Sequence, residues 1–494
     1  MPHVRPIFAT LIPENPPTYN TIRKEYEKMK AGRYGVKLIV ILILLILFAI
    51  PLRMVRQIVK ERESRSREAA EDVIDSWGGR STISGPYLLI PVYRFEETRS
   101  VEGKPVQQKI ERTALFFPDS LNVDIHAETE KRSRGIFSVP VYNASILLEG
   151  SFRLEELNER LSGYTIDEEG IRIGLSLGEL SGIRAIDEAM FGDTKLTLEP
   201  MGTDILLQGN RITAPVGLTV KALKDSMPYR FRLRIGGGQS ISILPVARQT
   251  EVAMRSDWEN PSFFGSALPV RHDGGDAEPG FSALWSISHL SRNLPHFGFI
   301  SDLRSEEIDI EGFGVKFLNP DDPYPKNERS VTYAWLFLIV PFAAFFVFEA
   351  VKGEAVHPVQ YLLTGCADIV FYLLLLSLSE HIPFFTAYML AALGGSLLIA
   401  AYASAVLGSK TSGITLGGII IIAYAYLMVV LTSEDYALLL GSIGLFIALA
   451  LIMFLTRNVS WYDTPLNREA AGRMVDRGKR RRSKWQNLDG SAPE

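Results

Sequence analysis

KLIVILILLILFAIPLRMVRQ (residues 37–57) decides how the rest of the chain has to be read. Its uncharged part, 38–52, gives about 22 Å of helix against a hydrocarbon core of roughly 30 Å. Extended to 34–55 the helix reaches about 33 Å, provided that Lys37 and Arg53 carry their charged ends out to the two interfaces. A cleavable signal peptide shares the basic leader and the apolar middle. IPLRMVRQ, however, offers no small-x-small cleavage site, and a long leader precedes the run. Residues 34–55 therefore read as a first transmembrane helix.

The whole composition agrees, since 47% hydrophobic residues in 494 is more than an average soluble enzyme carries. Five further apolar runs crowd the last third, at 331–351, 358–379, 382–406, 413–431 and 436–455, each long enough to cross. Their connections alternate. VKGEAVH carries Lys352, SEHI carries no Lys or Arg, GSKTSG carries Lys410, TSEDY is purely acidic, and the tail contains GKRRRSK. Under the positive-inside rule this predicts a cytoplasmic tail (456–494). Five crossings counted back then put 80–330 outside and the N-terminal segment 1–33, with TIRKEYEKMKAGR, inside. Arg53, Arg56, Lys60, Arg62, Arg65 and Arg67 run against this, but they are interleaved with Glu61, Glu63, Glu68, Glu71 and Asp72. A long domain also crosses largely regardless of charge.

The net charge of -4 averages over this segregation and says little about partners. Cys366 is the single cysteine, which excludes an intrachain disulfide and a cysteine-based metal site. Glu and Arg at helical spacings over 56–79 predict a charged helical stalk ended by Gly78-Gly79. Beyond it the period becomes two. LNVDIHAE, FRLRI and FSALWSIS each alternate apolar and polar residues, as half-buried antiparallel strands do. A short helical insertion is expected near 178–190. The fold class is thus a helical membrane bundle of six transmembrane helices (1+5), with a large β-rich extracytoplasmic domain (80–330) between the first helix and the five-helix bundle 331–455.

Many blocks of the chain occur in a familiar order. They include IPLRMVRQIVKERESRSREAAEDVIDSWGG, SGPYLLIPV, ETEKRSRGIFSVPVYNASILLEGSF, LPVARQTEVAMRSDWENPSFFGSALP and GFSALWSISHLSRNLP. Then follow NERSVTYAWLFLIVPFAAFFVFE, HPVQYLLTG, FYLLLLSLSEHIPF, SEDYALLLGS and FLTRNVSWYDT. In these the sequence resembles the CreD family of bacterial inner-membrane proteins, described as acting in cell-envelope integrity. The resemblance implies a multi-pass inner-membrane protein with one large periplasmic domain. It brings no molecular activity, cofactor or catalytic residue. The leader, RHDGGDAEPG, Asp368 and the extended basic tail depart from the pattern.

The most chemically crowded stretch is TEVAMRSDWENPSFFGSALPVRHDGGD (250–276), with Asp257, Trp258, Pro261, Ser262, Phe263 and Gly265 at its centre. A catalytic reading makes Asp257 a base and Ser262 a nucleophile near His272. Yet G-x-S-x-G is absent, and the expectation is a structural or recognition loop in which Asp257 caps backbone N–H groups while Trp258 and Phe263 anchor it. HDGGD, with Asp273 and Asp276, lacks the spacing of an EF-hand and reads as a solvated turn. His126, His289 and His296 show no zinc spacing, and no nucleotide-binding motif occurs.

Asp368 falls near the middle of a span, where a carboxylate costs about 2.5 to 3.5 kcal/mol. The Leu, Ile, Val and Phe around it, each contributing roughly -0.3 to -0.6 kcal/mol, offset that. It is either a proton or ion relay, with Tyr361 or Tyr372, or a neutral hydrogen-bonded group inside the bundle. No cofactor or metal is expected. The expected partners are membrane lipids and, for the outer domain, a periplasmic envelope component or protein, with no nucleic acid. The leading expectation is a non-enzymatic inner-membrane protein that maintains or senses envelope integrity. A transporter or channel using Asp368 and a periplasmic hydrolase of cell wall or lipid are the rivals.

Overall fold

The computed structural model describes residues 19–99, 105–204, 207, 209–218, 226–274, 279–303, 311–352, 356–433 and 436–457. Asp276 and nearly all of the basic tail lie outside them. The chain forms two units, Met1–Arg62 with Pro323–Glu494, and Glu63–Asp322. The helices are α1 (Tyr19–Trp77), α2 (Glu155–Arg160), α3 (Tyr324–Lys352), α4 (Pro358–Ser379), α5 (Phe384–Val406), α6 (Lys410–Thr432) and α7 (Ala437–Thr456). Among the described residues, all but α2 are long and apolar enough to cross a membrane, which makes six. With the β-rich region between the first and the rest, this is the expected fold class.

Local chemistry sets the ends of these helices. Pro358 opens α4 behind a capping box, in which the His357 side chain accepts from the Val359 N–H and Gln360 Oε1 accepts from the His357 N–H at 2.8 Å. Ser409 caps α6. Close approach of α5 and α6 depends on Gly413 and Gly417: a Cβ on Gly413 would stand 1.9 Å from Ser404 Oγ, and one on Gly417 2.7 Å from Ala400 Cβ. α7 has none of its apolar window buried. There, Gly444 leaves room for the Tyr426 ring, whose hydroxyl donates to Leu440 O at 2.5 Å.

Lys37 is tied at the end of the helices: its side chain is largely buried, pairs with Glu349 near the end of α3 and donates to Val356 O, in the link to α4, at 2.8 Å. The carboxylate supplies charge and hydrogen bonds to the buried ammonium, which hydrocarbon would not.

α1 continues through its charged residues to Trp77. Gly78 has φ +123°, and a Cβ there would stand 2.4 Å from Gly182 Cα, so glycine alone fits. The Gly79 N–H returns to Ile74 O at 2.8 Å and closes the helix end. Ile74 packs with Val139 and Val141, and Trp77 Nε1 donates to Tyr142 O.

The second unit holds two sheets around one core. In chain order the strands are β1 (Ser81–Arg99), β2 (Pro105–Phe116), β3 (Ser120–Arg134), β4 (Phe137–Arg153), β5 (Thr165–Ile166), β6 (Arg172–Leu177), β7 (Ile183–Phe191), β8 (Thr194–Lys195) and β9 (Glu199–Asp204). They continue as β10 (Gly209–Pro215), β11 (Ser226–Gly238), β12 (Ser240–Leu244), β13 (Gln249–Ser256), β14 (Pro261–Gly265), β15 (Arg271–Gly274), β16 (Phe281–Ser288), β17 (Phe297–Phe299) and β18 (Phe313–Phe317). One sheet runs β14-β18-β12-β1-β6-β10-β9, with β2 and β5 also on β1 and β17 on β2; the other runs β15-β16-β13-β3-β4-β11-β7-β8. The period-two pattern does what it predicts: Leu121, Val123, Ile125 and Ala127 of β3, and Phe281, Ala283, Trp285 and Ile287 of β16, face the core that both sheets share.

The helical insertion expected at 178–190 is a 3-10 turn, Leu180–Gly182, followed by β7. Pairing overrides propensity there. β7 lies antiparallel to β11, whose Arg234 takes Asp187 at 2.9 Å and whose Arg232 faces Glu188 at 3.9 Å. The short helix lies instead at α2. HDGGD is likewise not all turn, since its first residues belong to β15, paired with β16.

His296 stacks edge-on against Phe116 with ring centroids 4.9 Å apart. Burial first, and then Arg248, Arg292, His289 and Arg160, push its pKa from 6.5 down to about 3. The unfolded chain takes this proton near 6.5 and the folded chain only near 3. Stability that is complete above the first value is therefore lost as pH falls towards the second. Melts in phosphate-free buffer between pH 7 and pH 4 should show this loss, and His296→Phe should flatten it.

Candidate functional site

The crowded stretch is built into both sheets. Just after β13, Asp257 Oδ1 accepts from the Thr129 N–H at 2.9 Å and from Thr129 Oγ1 at 2.7 Å, which ties the end of β13 to β3. Trp258 is 9% exposed, donates from Nε1 to Leu318 O at 2.9 Å and meets the Phe317 ring edge-on. Pro261 and Gly265 are the ends of β14 and pair with Phe317 and Phe313 of β18. Gly265 has φ +94°, and a Cβ there would stand 1.9 Å from Gly312 O. Phe263 lies between Trp285 (5.7 Å), Phe281 (5.9 Å) and His272 (5.6 Å). Ser262 pairs with Lys316, and among the described residues no hydrogen bond joins it to His272 or Asp257. What this arrangement does is tie β13 to β3 and β14 to β18 and leave Phe263 half-buried among aromatic side chains.

In the spans, Asp368 is buried, and Tyr424 on α6 donates to its Oδ1 at 2.6 Å. Tyr388 on α5 donates to Tyr424 O at 2.6 Å, so α4, α5 and α6 meet at one polar point. Phe371 stacks on Tyr424 at 4.3 Å and meets Tyr372 and Tyr388 edge-on, which shields the carboxylate with rings. Asp368 Oδ2, Tyr372 Oη and Ser396 Oγ are buried without a partner among the described residues. Of the two tyrosines that the sequence suggested for Asp368, Tyr361 serves the other polar site. It donates to Glu349 Oε2 at 3.4 Å, beside Lys37. Tyr372, one turn along α4, makes no hydrogen bond to Asp368. Tyr424 and Glu349 were missed by sequence reasoning; their signal is a polar residue inside or just at the end of an apolar run.

A third polar junction joins the ends of α3 and α4. Asn327 Nδ2 donates to Ser379 Oγ at 2.8 Å, and Tyr324 to Glu380 Oε1 at 3.0 Å, while Arg62 of α1 faces the same carboxylate at 3.7 Å. Among the described residues no group of three or more His, Cys, Asp or Glu is placed to hold a metal ion.

The family profile described as "Inner membrane protein CreD" matches residues 33–462. The chain belongs to the CreD family. The "Inner membrane protein CreD" of Escherichia coli (strain K12) is 32% identical over 431 residues, covering 87% of this chain and 94% of that protein. The crowded stretch, Asp368, Glu349 and Tyr424 all fall inside the matched range. Among solved structures, an M1 zinc metallopeptidase mutant from Deinococcus radiodurans covers 40% of this chain and 42% of its own at 9% identity. Its TM-score is 0.20.

For this CreD-family chain the Lys37–Glu349 pair gives a direct test of the span packing. Lys37→Met leaves a buried carboxylate without its cation and should lower stability by about 3–5 kcal/mol. Adding Glu349→Leu should restore most of that loss, as read from unfolding midpoints in mixed detergent.

Proposed function

We propose that the chain maintains or senses cell-envelope integrity without catalysis, through its β-rich unit, held in the periplasm with both chain termini in the cytoplasm. The observation that carries this reading is the insertion of a large two-sheet unit between the first apolar helix and the other five. A transport or channel core has no need of such a unit, whereas recognition outside the membrane does. The alternation of Lys352 and Lys410 with non-basic connections supports the orientation. Non-catalytic work is supported by the use to which the polar groups of 257–265 are put: Asp257 and Trp258 are spent on strand-to-strand contacts. Envelope integrity is the role described for the family that the sequence resembles.

Two measurements in intact cells test the reading together. With Cys366 replaced, cysteines at Thr98 and Ser266 should react with a membrane-impermeant maleimide added from outside. A photocrosslinker at Phe263 should also capture a discrete envelope component. Labelling from the cytoplasmic side alone, or capture of abundant proteins and lipids only, would count against it.

A second reading is favoured by one observation, the buried Asp368 with an unpartnered Oδ2 beside the unpartnered Tyr372 hydroxyl. Intramembrane carboxylates of this kind mark proton or ion paths. On that reading the chain is a transporter or channel, and Asp368→Asn in proteoliposomes abolishes a pH-gradient-driven flux that Asp368→Glu retains. Equal flux in wild type and Asp368→Asn would remove it.

A further inference from the structure

A polar cluster on the β-rich unit takes no part in the stretch 257–265. It lies where the turn His289–Ser291, after β16, meets the link between β12 and β13. Arg292 sends Nη2 to the carbonyls of Val246 (2.6 Å) and Ala247 (2.5 Å). Its Nε and Nη1 are shut off from water and have no partner among the described residues, and the same holds for both ring nitrogens of His296. Arg248 is half-buried, Arg160 and His289 are exposed, and all three act electrostatically on His296.

The carboxylates nearby face Arg248 rather than Arg292. Glu156 on α2 accepts from Arg248 Nη2 at 2.5 Å. Asp119 Oδ2 accepts the Arg153 N–H at 2.7 Å, while its Oδ1, buried without a hydrogen bond among the described residues, faces Arg248 Nε at 3.6 Å. Among the described residues Arg292 pairs with neither, and burial alone draws its pKa down to about 10. A guanidinium withdrawn from water with unused donors and no counter-charge is unfavourable until an anion completes it. Its planar N–H groups suit the oxygens of an oxyanion, and a neutral His296 adds one more donor.

We propose that Arg292, His296 and Arg248 form a binding site for a phosphate-class oxyanion. Phosphate fits better than a carboxylate, because donors from several side chains meet an anion with more than two acceptor oxygens. The proposal rests on the recognition role given above to the β-rich unit and narrows its ligand to this chemistry, whether from free phosphate or from a lipid headgroup.

The test uses the full chain in zwitterionic-lipid nanodiscs, with thermal unfolding followed by tryptophan fluorescence at constant ionic strength. Inorganic phosphate should raise the melting temperature saturably relative to chloride, and acetate should not. Arg292→Gln and His296→Gln should each weaken the half-saturation by about tenfold or more. Arg232→Gln, on the outer face of β11, should leave it unchanged. A purely structural Arg292 predicts equal melting losses in phosphate and chloride, and His296→Gln reads the same effect should Arg292→Gln fail to fold. In nanodiscs of anionic phospholipid, loss of the phosphate increment identifies the headgroup as the source; its persistence identifies free phosphate. No increment in the wild type, an equal one in acetate, or an unchanged one in both cluster variants overturns the proposal. Failure of the cell labelling or capture leaves this purified-protein measurement standing, so the two ideas fail separately.

Discussion

Hydrocarbon offers a polar side chain no partner, and this constraint orders the span unit. Three ionisable groups of the helices are met by groups on other helices: Lys37 of α1 by Glu349 of α3, Asp368 of α4 by Tyr424 of α6, Arg62 of α1 by Glu380 at the end of α4. These pairings are directional in a way that apolar packing is not. They select which helices neighbour one another, and the glycines at 413 and 417 then set how close α5 and α6 come.

The β-rich unit follows the opposite logic, with one apolar core doing most of the work. Trp285, Phe116, Phe152 and Phe231 are almost wholly withdrawn from solvent, and both sheets contribute to the cluster around them. Two parallel pairings, β1 with β12 and β3 with β13, bring together strands far apart in the chain. The link between β12 and β13 passes from one sheet to the other, which is why the carbonyls of Val246 and Ala247 need a donor from outside their own ladder. Arg292 supplies it.

Periodicity and length carried much of this fold in the sequence. The apolar runs at 358–379 and 413–431 and the alternating LNVDIHAE and FSALWSIS segments appear as α4, α6, β3 and β16, because a core or a lipid phase selects for those local patterns directly. β7 was illegible for a stated reason: IDEA has helical propensity, and only pairing with β11 and burial of Ala189 and Phe191 make it a strand. Asp368 stood out in its span, but its partner did not. Tyr424 is 56 residues away, and Glu349 lies 312 residues from Lys37, so no spacing rule links them. Arg292 and His296 looked ordinary for the same reason, since their unpaired nitrogens exist only once two sheets have closed over them.

α7 shows what the lack of such pairings means for a helix. With its apolar window uncovered by protein and its tie to α6 made through the backbone oxygen of Leu440, most of its side chains answer only to oil solubility. Leucine, isoleucine, valine or phenylalanine can drift among those positions over generations with little effect. Gly444 is an exception, because a Cβ there would stand 2.5 Å from the Tyr426 ring.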